Sequence, residues 1–200
     1  MFARPAPAAD IEVLLTGGYR SPRPPDGTVC GVNDAAPASG DVSIRGLAPG
    51  DAPACDAIVA SLPYHFGDEH GIELCAAAVR EQAGLVATAG AGPVGFVTWR
   101  PWYDAAAEVT WLAVHAVERR RGIGGLLVES FLEAQGPQVR YAVATTLSEA
   151  TPEPGVEDGY AGTREFWRGC GFEPVFDPVG WWNEENQAVV MVRPLGPGNG

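Results

Sequence analysis

Apolar residues along this chain repeat at two periods, and the points where the period changes mark its elements. Val42-Ser-Ile-Arg-Gly-Leu47 alternates, which predicts a first strand. Ala48-Pro-Gly-Asp51 is a turn, and Asp51 is placed to N-cap a helix running from Ala52 to about Ser61. A second helix is expected over Ile72 to Gln82. Gly84 to Thr88 and Val94 to Trp99 read as strands joined by a glycine-containing turn, with Arg100-Pro-Trp-Tyr-Asp104 interrupting before the next strand. Val109 to Val114 is β-branched and apolar, the composition of a buried strand. From Gly122 the period lengthens, and Ile123, Leu126, Leu127, Phe131 and Leu132 fall at helical spacing. Val139 to Thr146 then reads as a strand and Glu149 to Gly159 as a polar loop. Tyr160 to Gly169 reads as a helix stopped by Gly169 and Gly171. Phe172 to Phe176 and Ala188 to Arg193 form a closing hairpin around a loop that holds Trp181 and Trp182. Strands and helices interleave throughout, which places the chain in the α/β class.

Residues 1–41 break this pattern. The first forty contain six prolines and five glycines, a composition that does not support regular packing, so 1–41 is expected to be a disordered extension with at most a short helix near Asp10 to Leu15. Residues 42–195 are then the folded domain and 196–200 a flexible tail.

Charge and cysteine usage narrow the setting. The formal net charge is −12, which argues against a surface that tracks a nucleic-acid backbone. No apolar run approaches the roughly 20 residues that span a bilayer, and Met1 to Pro7 lack the basic and apolar blocks of a secretion signal. Cys30, Cys55, Cys75 and Cys170 show no paired spacing and read as free thiols in a reducing compartment. A cytoplasmic protein without membrane or nucleic-acid partners is expected.

The chemistry concentrates where the period changes, in Glu108-Val-Thr-Trp-Leu-Ala-Val-His-Ala-Val-Glu-Arg-Arg-Arg-Gly-Ile-Gly-Gly-Leu-Leu-Val128. A strand that turns through glycines into a helix leaves backbone N–H groups free at the helix start, an anion site reinforced by the helix dipole. Gly122 and Gly124 let phosphate oxygens approach the backbone, and Arg119, Arg120 and Arg121 add forked donors. A dinucleotide turn would need glycine where Leu127 stands, and a nucleoside-triphosphate loop would need a lysine, which this protein lacks altogether. Both of those ligands fail on residue identity.

What remains resembles the GNAT superfamily of CoA-dependent N-acetyltransferases. Arg119-Arg-Arg-Gly-Ile-Gly124 matches its Arg/Gln-x-x-Gly-x-Gly/Ala signature, and it follows Leu112-Ala-Val114 in the family's Leu-x-Val strand pattern. Thr163-Arg-Glu-Phe-Trp-Arg-Gly-Cys-Gly-Phe172 is similar to the family's Ala-x-x-Phe-Tyr-x-x-x-Gly-Phe segment. The resemblance covers roughly residues 42–195. It implies a mixed central sheet of about six to seven strands, a splayed central strand pair and helices on both faces. It also implies acetyl-CoA as acetyl donor, held by Leu112, Ala113 and Val114 along the pantetheine and by Arg119, Arg120, Arg121, Gly122, Ile123, Gly124 and Gly125 around the pyrophosphate. Val114 N–H would be the donor nearest the thioester carbonyl.

Acetyl transfer to an amine needs a base, because an alkylammonium of pKa ~10.4 is barely nucleophilic at neutral pH. Glu108, fourteen residues before Gly122, stands where several GNAT enzymes carry a general-base glutamate; strict alternation would put it on the same face as Leu112. The family's usual proton donor to the departing thiolate is the tyrosine at the position of Trp167, which cannot serve; Tyr160 is about 10 Å away along the helix, and Tyr141 is the other candidate. This departure keeps open a second reading, a CoA-binding module with little catalysis. The acceptor is an amine on a small molecule or peptide. Tyr64, Asp68, Glu69 and His70, in the loop that the family places over its acceptor pocket, are candidate contacts, as are Trp102, Tyr103, Trp181 and Trp182. His65 and His70 lie five apart without a third ligand at convincing spacing, so no metal is expected. The superfamily is often dimeric, which makes a homodimer an available state.

Overall fold

The computed structural model describes residues 42–66, 69–90, 92–149, 158–179, 181 and 187–196. The expected extension 1–41, Asp68 and Trp182 lie outside the described residues. The elements run β1 (Val42–Gly46), α1 (Ala52–Ala60), α2 (Glu69–Glu81), β2 (Ala83–Ala89), β3 (Gly92–Tyr103), β4 (Ala106–Val114), α3 (Ile123–Glu133), β5 (Tyr141–Leu147), α4 (Ala161–Gly169), β6 (Glu173–Phe176) and β7 (Ala188–Pro194). The seven strands form one sheet in the order β1-β2-β3-β4-β5-β7-β6. Every neighbouring pair is antiparallel except β4 and β5, which run parallel. The mixed sheet of seven strands is the architecture that the family resemblance implies.

Two helix layers cover the sheet for reasons legible in their stripes. On one face, Ile123, Leu127 and Phe131 recur every fourth residue of α3 and are buried with Val97, Val109, Ala144 and Met191; Trp167 of α4 and Phe172, just before β6, extend this core. Leu126 falls off that stripe and is exposed. On the other face, Cys55, Ile58 and Val59 of α1 and Cys75 and Val79 of α2 pack against Val86, Phe96 and Ala113. This second core stops at β4: none of its described members comes from β5, β6 or β7. Burial pushes the thiol of Cys55 up to about 12 and that of Cys170 up to about 11, so neither is a ready nucleophile.

Two local expectations change. The segment Arg100–Tyr103 does not interrupt the sheet but continues β3, and the hairpin turns at Asp104 and Ala105 instead. Pro101 is accommodated because the register shifts between Pro101 and Tyr103, and a bulge is one of the few places a strand takes proline. Asp51 does precede α1, but its side chain makes no cap to that helix. Its carboxylate accepts two hydrogen bonds from Arg45, each 2.7 Å, and one from Ala48 N–H at 2.9 Å, so it fastens β1 to the 3-10 turn at Pro49–Asp51.

Arg45 holds the Asp51 carboxyl below its ordinary value, against the opposing effect of burial. A folded-state pKa depressed in this way adds stability that is present above the unfolded value of ~3.9 and is lost as pH falls through the folded one. The expected outcome is that Asp51→Asn melts below the wild type at pH 7, and that the difference closes as the two are compared at progressively lower pH, from about 4 downward. Thermal melts across that range read it; a difference independent of pH would mean that the carboxylate's charge is not what holds β1.

Candidate functional site

The centre of the sheet is opened by one residue. Trp99 stands opposite Val109 and Thr98 opposite Trp111, which leaves Thr110 as an extra residue in β4, a β-bulge. Thr110 Oγ1 donates to Gln82 Oε1 at 2.5 Å and shares a 2.9 Å hydrogen bond with Thr98 Oγ1, so the bulge is pinned to the end of α2 and to β3. Cross-strand partners share a face of the sheet. Val109 and Leu112, opposite Trp99 and Val97, therefore face α3, while Glu108, Trp111 and Ala113, opposite Arg100, Thr98 and Phe96, face α1 and α2. Strict alternation would have put Glu108 and Leu112 together; the bulge places them on opposite faces.

Beyond the bulge β4 leaves its other neighbour. The parallel pairing of β4 with β5 ends at Val109 and Ala144, whereas β5 goes on pairing with β7 to Leu147. Residues 110–114 and 145–147 thus border a gap between two adjacent strands. His115 N–H donates to Val94 O at 2.8 Å, toward β3. Because successive peptide groups of a strand point to opposite sides, the N–H groups of Val114 and Leu112 face the gap. Ala113 is 2% exposed and belongs to the core under α1.

The gap leads to the glycine turn. Arg120 (φ 61°) and Gly122 (φ 77°) both adopt the left-handed conformation that reverses the chain into α3. The first intrahelical bond runs from Leu126 N–H to Gly122 O, so the N–H groups of Ile123, Gly124 and Gly125 have no acceptor within the helix. Ile123 itself is core. The next two glycines serve different ends. A Cβ on Gly124 would lie 3.0 Å from Phe166 Cε2, whereas one on Gly125 would meet nothing within 4 Å. Gly124 lets α4 approach α3, and Gly125 leaves the helix start open. Arg121 is paired with Glu118, while Arg119 and Arg120 are exposed. Arg119 stands near enough to His65 to assist burial in lowering that imidazole's pKa, and the His65 ring lies 6.2 Å from that of Tyr160. The α1–α2 loop, the arginine turn and the start of α4 therefore meet at one end of the gap.

On the α1–α2 face, Glu108 is 8% exposed and Arg100 Nε donates to its Oε2 at 2.9 Å. Among the described residues this is its one side-chain partner, and Oε1 is left for another. The Val143 opposite Glu108 and the Tyr141 opposite Ala106 border a cavity of about 310 Å³, which Val190, Val192, Trp102 and Tyr103 also line. Trp181 closes over the Trp102 side, with ring centres 6.2 Å apart, and Phe176 lies 6.3 Å from Trp181. Tyr64 is exposed, Glu69 opens α2, and His70 lies 3.9 Å from Glu73 rather than beside His65. Among the described residues no three His, Cys, Asp or Glu side chains converge as metal ligands would.

Trp167 occupies neither the gap nor the surface. It is 6% exposed and sits edge-on between Phe166 and Phe172, at 5.2 and 5.0 Å. Tyr160 precedes α4 beside His65, and burial raises its hydroxyl pKa. Tyr141 stands at the other end of β5, four residues before the gap begins, or roughly 13 Å at the rise of a strand. Two residues that hold the site are not singled out by their sequence. Arg100 reads as part of a loop, yet it orients Glu108. Arg164 reads as one position of a helical motif, yet it is 3% exposed, donates to Leu147 O at 2.9 Å and pairs with Asp158, tying α4 to the far border of the gap. The available signal is an arginine three residues before Trp167, on the apolar side of α4, which calls for buried partners.

Comparison with known proteins places this arrangement. Residues 80–174 match the family model described as "Acetyltransferase (GNAT) domain". No curated protein matches by sequence. Among solved structures, a GNAT-family protein from Desulfovibrio desulfuricans superposes with a TM-score of 0.65 at 19% identity, over 77% of this chain and 99% of that one. The ribosomal-protein-S18-alanine N-acetyltransferase of Escherichia coli gives 0.60 at 16% identity, over 80% and 98%. An aminoglycoside 6'-N-acetyltransferase complexed with coenzyme A gives 0.60 at 14%, over 76% and 96%. At these identities the likeness is one of fold.

Proposed function

This chain carries a GNAT acetyltransferase domain over residues 80–174, and from that premise we propose that it transfers the acetyl group of acetyl-CoA directly to an amine acceptor. The observation that carries the proposal is the gap between β4 and β5, bordered by the N–H groups of Leu112 and Val114 and leading to the acceptor-free N–H groups of Ile123, Gly124 and Gly125. A pantetheine can bond the open edge of β4 as an added strand would, and a pyrophosphate can take the helix start, where Gly125 offers no side chain and Arg119 and Arg120 supply charge. Bound there, acetyl-CoA supplies the activated acyl group.

The chain's own residues do the rest. Of the two gap-facing N–H groups, that of Leu112, rather than Val114, lies nearer to Glu108 along β4 and is the preorganised donor for the carbonyl oxygen as negative charge develops on it, with Val114 N–H further along the pantetheine. Glu108, on the face away from α3, takes the ammonium proton of the acceptor directly or through a water. Arg100, on Oε2, fixes the carboxylate so that Oε1 is the basic atom. With Trp167 in the core, the thiolate departs without that side chain's help, which its ordinary pKa of ~8.5 permits. Among the described residues no helix is long and apolar enough to cross a membrane.

Titration calorimetry with acetyl-CoA and CoA, followed by an amine screen that reads thiol release, tests the reading. Micromolar binding together with amine-dependent release is the expected result. Binding without release for any amine would favour the second reading, a CoA-binding module, for which the core placement of Trp167 is the motivating observation. No binding by a folded protein would overturn both.

A further inference from the structure

We propose that the acceptor is a primary amine on a short tether from a flat apolar group, and that the cavity beside Glu108 holds that group. The inference rests on the acetyl-transfer reading above and names its substrate class.

The cavity and Glu108 belong to one surface. Glu108 stands opposite Val143 across the parallel pair of β4 and β5, and Ala106, two residues earlier in β4, stands opposite Tyr141; Ala106, Tyr141 and Val143 all line the cavity. Side chains two apart on a strand share a face at a separation of about 6.8 Å. A ligand whose apolar part lies over Ala106 and Val143 therefore has its amine, a few bonds away, at the Glu108 carboxylate. That carboxylate is the nearest acid along β4, and no acid or base is among the described residues that line the cavity. An ammonium is thus drawn to the Glu108 end, and only uncharged surface suits the other.

Lining and size favour a ring. Trp102, Tyr103 and Tyr141 present aromatic surface, and Val143, Val190 and Val192 present branched aliphatic surface from two adjacent strands. A volume of about 310 Å³ is at the lower end of the range for small-molecule sites, and it accommodates one or two fused rings rather than a polysaccharide-sized ligand. A polycation would gain at most cation–π contacts with the three rings, against lost hydration along its whole length. A second copy of this chain is the competing occupant, because Tyr103 and Tyr141 on the rim are 66% and 42% exposed, and the sedimentation arm of the test separates the two.

The test compares 2-phenylethylamine, ethylamine and spermidine by thiol release from acetyl-CoA in wild type, Val192→Gln and Trp102→Ala. Alongside it, binding of 2-phenylethylamine is followed by tryptophan fluorescence, to which Trp102 and Trp181 contribute among the chain's six tryptophans. In the wild type, kcat/KM for 2-phenylethylamine should exceed that for ethylamine by about 100-fold, the discrimination that burying a ring in an apolar pocket provides. In Val192→Gln the ratio should fall below about 10, and Trp102→Ala should lower it in the same direction should the β7 variant fail to fold. An ethylamine-like rate for the ring compound in wild type, or a preference for spermidine, overturns the inference while leaving amine acetylation standing. Absence of CoA binding or of thiol release with every amine counts against the acetyl-transfer reading instead. In that event the fluorescence titration decides: saturation by 2-phenylethylamine that Val192→Gln abolishes supports the cavity assignment, and no saturation overturns it. Sedimentation that finds a wild-type dimer, dispersed by Val192→Gln with the amine preference unchanged, also overturns it.

Discussion

Glu108→Gln is expected to lower kcat by about 10²–10⁴-fold, the usual contribution of a positioned general base, while acetyl-CoA binds as before. The substitution keeps the shape of the side chain and an oxygen for Arg100 Nε to donate to, and the Arg100 side chain is 36% exposed, so the lost charge leaves no buried cation stranded. Cofactor affinity should hold because Glu108 faces α1 and α2, whereas the N–H groups proposed for CoA line the gap beyond the bulge. The diagnostic comparison uses two acceptors. One is an alkylamine, protonated at the assay pH; the other is an amine of low basicity that is already neutral there. A base is needed for the first and scarcely for the second, so the variant's loss should be largest with the alkylamine. An equal loss with both acceptors, or a parallel loss of acetyl-CoA affinity, would make Glu108 a scaffold residue.

The same glutamate shows where sequence reading runs out. Strand and helix periods located the elements to within a few residues, because each stripe, such as Ile123, Leu127 and Phe131, buries against one sheet face and the sequence must repeat accordingly. A bulge has no such signature. Val109 to Val114 is suitable for a strand at every position, so nothing in the residue types announces that Thr110 is inserted, and a single insertion exchanges the faces of everything on one side of it. The hydroxyl of Thr110 becomes informative only once Gln82 and Thr98 are known to be its partners. Pro101 misleads in the opposite direction: proline argues for a break, and the chain instead continues through a register shift. Long-range partnerships are equally hidden. Arg100 with Glu108 and Arg164 with Leu147 O depend on which strands and helices become neighbours, which local composition does not specify. The glycine turn was legible for a physical reason, since an anion site built from backbone leaves its demands on side chains, here their absence, in the sequence itself.

Those glycines supply the second large effect. Gly125→Glu is expected to weaken acetyl-CoA binding by at least about 100-fold, or roughly 2.8 kcal/mol, without loss of thermal stability. The two consequences separate because of where the residue lies. A Cβ at Gly125 meets nothing within 4 Å, so the side chain enters open space. Replacing a helical glycine gains a few tenths to about 1 kcal/mol from backbone entropy, and a carboxylate in the first turn of α3 interacts favourably with the helix dipole. The folded protein should therefore melt at or above the wild-type temperature. The same carboxylate stands over the N–H groups of Ile123, Gly124 and Gly125, where it competes with a pyrophosphate for donors and repels it. Gly125→Ala provides the uncharged control and should keep most of the affinity. Gly124→Ala should behave differently, because its Cβ would lie 3.0 Å from Phe166 Cε2 and the ring must give by a few tenths of an ångström, which offsets the backbone-entropy gain. Its melting temperature should therefore fall below that of Gly125→Ala, with affinity following stability. Calorimetric titration and melting of the three variants read all of these outcomes. A stable Gly125→Glu protein that binds acetyl-CoA as tightly as the wild type would move the pyrophosphate away from the start of α3, and with it the assignment of the arginine turn.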